Sequence, residues 1–135
     1  MAEADLPRRA FVAQIMTLPI SVHVRGPLAG SESVAALVDA LYEALRADEE
    51  MFSIWKPDSP VSRIRDGRDS LRDAHPRIRQ VAALCELAGQ RTGGSFSGWL
   101  PGPDGHVLFQ PTGLVKGWAV EQAFTTFLGR LRELG

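Results

Sequence analysis

ISVHVRGPLAGSESVAALVDALYEAL, residues 20–45, switches its apolar period halfway along. In the first six residues Ile20, Val22 and Val24 alternate with Ser21, His23 and Arg25, the two-residue period of a strand with one buried face. GPLAGSES then supplies turn residues and a serine cap. Beyond it Val34, Leu37, Val38, Leu41 and Leu45 recur at the spacing of one helix face. A strand that feeds a helix through a short turn is the unit from which the rest of the chain is read.

The same reading gives further elements outward from this one. Asp48, Glu49 and Glu50 close the first helix and are expected to be a solvated end. In MFSIWKPDSPVSRI, residues 51–64, two prolines flank Asp58 and Ser59 and predict a rigid turn between short ordered pieces. DGRDSLRDAHP is polar and predicts a surface loop. Pro76 suits the first turn of a second helix whose inner face carries Ile78, Val81, Cys85 and Ala88, widened by Leu84 and Leu87. RTGG ends that helix. SFSGWLPGPDG, residues 95–105, holds too many glycines and prolines for a regular element. HVLF predicts a short strand, and a third helix runs from about Val115, with Val120, Phe124, Phe127, Leu128 and Leu131 inward. Strands and helices in this order, with no internal repeat, predict an α+β fold: an antiparallel sheet with flanking helices.

Composition narrows the function classes. The chain has 135 residues, 44% of them hydrophobic, enough for a single domain with a real core. Fifteen basic side chains against 16 acidic ones, a formal charge of −1, argue against a nucleic-acid binder or a ligand of acidic membranes. The single cysteine, Cys85, can form no internal disulfide and fits a reducing compartment. The sequence shows neither a signal segment nor a run near the ~20 apolar residues of a membrane span, so a cytoplasmic setting is expected.

QPTGLVKG, residues 110–117, is the corner between the last strand and the last helix. A helix that opens there points backbone N–H groups and a partial positive charge at whatever precedes it, which suits a phosphate. Gly113 permits close approach, and Lys116 adds a full charge. Neither the P-loop spacing nor GxGxxG is present. Taken locally, a solvated lysine on the first turn of a packed helix explains the pattern better than a phosphate site does.

MFSIWKPDSPVSRI, CELAGQRTGGSFSG and QPTGLVKGWAVEQA, in that order and at these separations, resemble three signature blocks of the ApbE family of FAD:protein FMN transferases. The usual family wording is close to FSTYRPDSxLSRL, a helix ending RTGGxFDP, and DPSGLVKGWAVDRA. The similarity runs from roughly Phe11 to Arg130. It implies one ApbE-like flavin transferase domain over residues 1–135, corresponding to the family's amino-terminal half. It also implies a Mg²⁺-dependent activity that moves FMN from FAD onto a Ser or Thr hydroxyl of a target flavoprotein and releases AMP.

Carried over by position, the resemblance implies that Met16, Trp55, Ser95, Phe96, Ser97, Gln110 and Lys116 contact the flavin nucleotide and that Gly113 lends an oxygen to the metal. It names no catalytic residue. MTLP replaces the family's MGT at Met16, and Trp55 replaces a tyrosine while keeping an aromatic face. Ser97 and Gln110 stand where the family has aspartates, and neutral groups serve Mg²⁺ less well than carboxylates do. The family's further metal-binding aspartates lie in a second half, so a second polypeptide or a second copy is expected to complete the site.

Other side chains have ordinary roles. His23 is expected in solvent on its strand, His75 at a helix cap and His106 at a strand edge, with no spacing that would hold zinc. Cys85 is expected to be buried and inert, and Arg63 and Arg65 to lie at the surface. Three functions are therefore expected in order: a flavin transferase, a FAD-binding module without transfer, or a remnant of the family without flavin chemistry.

Overall fold

The computed structural model describes residues 5–134. Its elements run β1 (Arg8–Ile15), β2 (Leu18–Arg25), α1 (Glu32–Phe52), α2 (Pro60–Arg65), α3 (Pro76–Arg91), β3 (Trp99–Pro101), β4 (Val107–Phe109) and α4 (Thr112–Glu133). The fold is α+β. The strands form two separate antiparallel pairs, β1 with β2 and β3 with β4. No helix among the described residues is long and apolar enough to cross a membrane. The chain divides into two compact units. One holds the described residues up to Ala47 and from Ala119 onward, and the other spans Asp48–Trp118.

In the first unit β1 and β2 pair over their full length, from Arg8 opposite Arg25 to Ile15 opposite Leu18. Val22 is buried while Ser21, His23 and Arg25 are exposed, so β2 has the two-sided pattern its sequence predicts. β1 was not expected. The face it shares with Ile20, Val22 and Val24 carries Arg9, Phe11, Ala13 and Ile15, of which Arg9 is exposed, and the other face includes Val12, 69% exposed, which blurs the alternation. The corner between the strands is Met16 and Thr17, both at positive φ (54° and 62°), as a two-residue hairpin turn with strand-matched twist requires.

Ser31 caps α1 through its Oγ, which accepts the Val34 amide at 3.2 Å. Val34, Val38, Leu41 and Leu45 are buried along one face as expected, and the Tyr42 hydroxyl donates to the Ile20 carbonyl at 2.9 Å. On α4 the buried side differs from the expected one. Ala119, Ala123 and Phe127 are buried, whereas Val120 and Phe124 are 40% and 46% exposed. At 119 and 123 the inward position is taken by alanine one residue before the expected Val120 and Phe124, while Phe127 is buried as expected.

In the second unit α1 continues through Asp48 to Phe52, and a separate short helix, α2, follows the prolines. The expected turn is thus confined to residues 53–59. Asp48 is buried rather than solvated, at 3% exposure. α3 starts at Pro76, with the His75 ring nitrogen accepting the Arg77 amide at 3.1 Å, so the expected cap is present. Ile78, Val81, Ala82 and Cys85 form its buried face. Gly93 and Gly94, at φ 62° and 88°, turn the chain away from the helix end. Within the segment expected to be irregular, Trp99–Pro101 pairs with Val107–Phe109 as a short hairpin. The Trp99 and Phe109 rings lie 5.5 Å apart across it and offset the poor strand propensity of Pro101.

Candidate functional site

The corner ahead of α4 is fixed from both sides. Pro111 is fully buried, and its carbonyl accepts the Leu114 and Val115 amides at 2.9 and 3.2 Å, so the first helical turn is closed at Thr112–Val115. One residue earlier the Gln110 amide donates to the Gly98 carbonyl at 2.7 Å. That bond ties the corner to the segment after α3.

The segment itself hangs on Thr92. Its hydroxyl donates to the Ala88 carbonyl at 2.8 Å and accepts the Phe96 amide at 3.0 Å. The Phe96 ring is thereby held over Gly113, where a Cβ would lie only 3.1 Å from a ring carbon. Gly98 is as constrained, since a Cβ there would come within 2.7 Å of both Cβ and Sγ of Cys85. Ser97 is taken up locally: its Oγ accepts the Trp99 amide at 3.1 Å and donates to the Trp99 carbonyl at 2.8 Å.

The first block folds into the same unit. The Ser53 carbonyl accepts hydrogen bonds from the Ser59 and Ser62 hydroxyls, and the Ser53 Oγ takes the amides of Trp55 and Lys56. Arg65 donates to the Ile54 carbonyl at 3.1 Å, Lys56 pairs with Glu50, and Arg68 pairs with Asp58 at 2.7 Å. The Arg68 guanidinium holds the Asp58 carboxyl below the usual carboxylate range. Trp55 is therefore carried on a pinned loop with its indole 81% exposed. α2, which leaves this loop, packs along β4.

The structure accordingly brings together Phe96 with Gly113, and the backbones of Gly98 and Gln110. Ser95 and Ser97 are exposed beside Phe96, and Lys116 is half-buried on the first turns of α4. Trp55 shares the unit with its ring in solvent. Met16 lies in the other unit, buried at the hairpin corner. The histidines behave as expected: His23 is exposed, and His106 pairs with Asp104 at 2.8 Å. Cys85 is buried, and burial pushes its thiol above the ordinary value. Arg63 is exposed and paired with Asp69 at 2.9 Å.

Two buried polar atoms near the corner have no hydrogen-bond partner: Thr112 Oγ1 and Trp118 Nε1. An orphaned hydroxyl at a helix start, next to glycine and one turn from a lysine, fits a phosphate oxygen. A flat exposed indole fits one face of an isoalloxazine ring. The donor set for Mg²⁺ does not fit. Among the described residues no three His, Cys, Asp or Glu side chains gather as a metal site, and the two positions nearest the corner, Ser97 and Gln110, are neutral.

One group was not foreseen from the sequence: Asp48, Arg77 and Trp118. Arg77 bonds Asp48 through Nε and Nη2 and covers the Trp118 ring, 4.5 Å from its centroid. The signal was available, because Asp48 continues the α1 stripe three residues beyond Leu45. Compared with known proteins, the chain matches no family model, no curated protein and no solved structure.

Proposed function

We propose that the chain holds FAD for the transfer of FMN to a Ser or Thr hydroxyl of a target flavoprotein, the chemistry of the family whose blocks it resembles. The observation that supports this reading is the junction of two of those blocks, with Phe96 seated on Gly113 and Gln110 bonded to Gly98. In this reading Lys116 and the Thr112 hydroxyl bind the diphosphate, where a cation and helix N–H groups favour negative charge. Trp55 offers its face to the flavin ring, and Ser95, Ser97 and Gln110 bond its polar edge. Mg²⁺ would supply charge neutralisation at the diphosphate, but the described residues gather no carboxylate set to hold it, so its ligands would have to come from a second polypeptide or a second copy. The setting is the cytoplasm, consistent with a lone buried thiol.

A second reading, FAD binding without transfer, is favoured by Ser97 and Gln110 in place of aspartates. FAD titration of the purified chain, read by flavin fluorescence with and without Mg²⁺, tests both. Saturable binding that weakens about tenfold in Lys116→Ala is expected, the size of one lost charge-assisted contact. No binding by the folded chain would defeat both readings. Gain of Mg²⁺-dependent transfer in Ser97→Asp/Gln110→Asp, assayed with a family second half, would favour the first.

A further inference from the structure

β2 is partnered along one side only. All eight of its residues are in register with β1, and among the described residues no other strand joins that sheet. The Gly26 amide donates to the Pro7 carbonyl at 2.9 Å, and two residues separate the last pair, Ile15 and Leu18. By the alternation of an antiparallel ladder, Leu18, Ile20, Val22 and Val24 aim their backbone groups at β1. Ser21 and His23 aim theirs at the opposite edge.

Along that edge lies a groove of about 330 Å³ that follows consecutive residues from Ile20 to Arg25. Its far wall is apolar, formed by Leu41 and Leu45 of α1 and by Val120, Phe124, Phe127 and Leu131 of α4. Val120 and Phe124, 40% and 46% exposed, belong to this wall. An open strand edge above an apolar wall matches an added strand: its backbone takes the edge groups while every second side chain enters the wall.

Charge selects among strands. His23 and Arg25 occupy the solvent side of the edge, Arg8 stands opposite Arg25, and a neighbouring concavity is lined by Arg8, Arg9, Ala10, His23, Val24 and Arg25. No acidic side chain lines either cavity among the described residues. A second copy of β2 would set His23 and Arg25 against basic residues of the same kind, and Pro19 would bring no N–H to the ladder.

We propose that this edge receives an extended segment of another polypeptide in which apolar side chains alternate with acidic ones. The proposal rests on the hairpin and its groove alone and stands whether or not the chain binds flavin.

The test uses end-blocked peptides of about eight residues, the usual length of a strand, alternating valine with glutamate or valine with lysine. Amide hydrogen exchange of the whole chain is read residue by residue. The glutamate peptide is expected to slow exchange at Ser21 and His23 saturably, and the lysine peptide to leave both unchanged. His23→Glu, at an exposed position, is expected to weaken the glutamate peptide about fivefold, the effect of ~1 kcal/mol for a cross-strand charge pair. Ser21→Pro removes an edge N–H without altering charge and should abolish the effect. Should that variant not fold, His23→Glu decides alone. Absence of slowing at saturating peptide, equal slowing by both peptides, or a concentration-dependent dimer that already protects these amides would each overturn the proposal.

Discussion

Arg77 reaches Asp48 with two guanidinium nitrogens, Nε at 3.0 Å and Nη2 at 2.7 Å, while its plane covers the Trp118 ring. The pair is lopsided in exposure. The Asp48 side chain is 5% exposed and that of Arg77 35%, so the carboxylate depends on the guanidinium far more than the reverse.

Removing the arginine therefore leaves a buried charge without its partner. Arg77→Ala is expected to cost about 2–3 kcal/mol, below the usual range for a fully buried pair because Arg77 is partly wetted. Urea unfolding measures this. Arg77→Met with Asp48→Leu should recover most of the loss, and a double variant as unstable as the single one would show that packing on Trp118 matters more than charge.

Gly98 has no room for a side chain. Gly98→Ala is expected to lose about 1–3 kcal/mol through overpacking against Cys85, and Cys85→Ala in the same chain should return only part of it, since the Cβ of residue 85 remains in the way. Thermal denaturation of the two variants side by side gives the comparison. A neutral Gly98→Ala would mean that this loop moves aside freely.

Burial raises the Cys85 thiol above its ordinary value of 9.0. In the unfolded chain the thiol loses its proton first, so the native state binds more protons over that window. The contribution of Cys85 to stability is thus complete below 9.0 and falls as pH rises beyond it. Tyr42 is shifted in the same direction from 10.0, which makes the interval between these two values the informative one. There the urea midpoint should fall more steeply in the natural chain than in Cys85→Ala. Parallel slopes would remove the thiol from the account.

Three tryptophans differ in exposure: Trp55 at 81%, Trp99 half-buried and Trp118 at 7%. Iodide should quench chiefly the emission of Trp55, and Trp55→Phe should leave a spectrum that iodide scarcely reduces. The same variant should lose most of any FAD-induced quenching. Retention of that quenching would direct attention away from this indole as the flavin platform.

The elements with strong periodicity were legible in the sequence. Val34 through Leu45 identified α1, Ile20 through Arg25 identified β2, and RTGG marked the end of α3. Three things were hidden by specific residues. β1 carries Arg9 on the face of Phe11 and Ile15 and Val12 on the other face, which cancels the alternation. α2 lies behind Pro57 and Pro60, where a proline-flanked Ser59 reads as turn but serves as an N-cap, its hydroxyl taking the Ser62 amide at 3.1 Å. On α4 the large side chains Val120 and Phe124 outweighed Ala119 and Ala123 in the pattern, although the alanines are the buried set. For the candidate site, the approach of Phe96 to Gly113 depends on a long-range contact that no local pattern encodes.

The corner at Met16 and Thr17 carries a consequence for the order in which the chain folds. Both residues hold a backbone conformation that costs a side-chain-bearing residue roughly 1–2 kcal/mol each, so this turn is a poor place for assembly to begin. Zipping of β1 onto β2 should wait until α1 offers its apolar face, placing the hairpin late on the route and the helix early. Thr17→Gly, which relieves the corner at one position, should then slow unfolding more than it speeds refolding, and a variant that chiefly accelerated refolding would put the turn first after all.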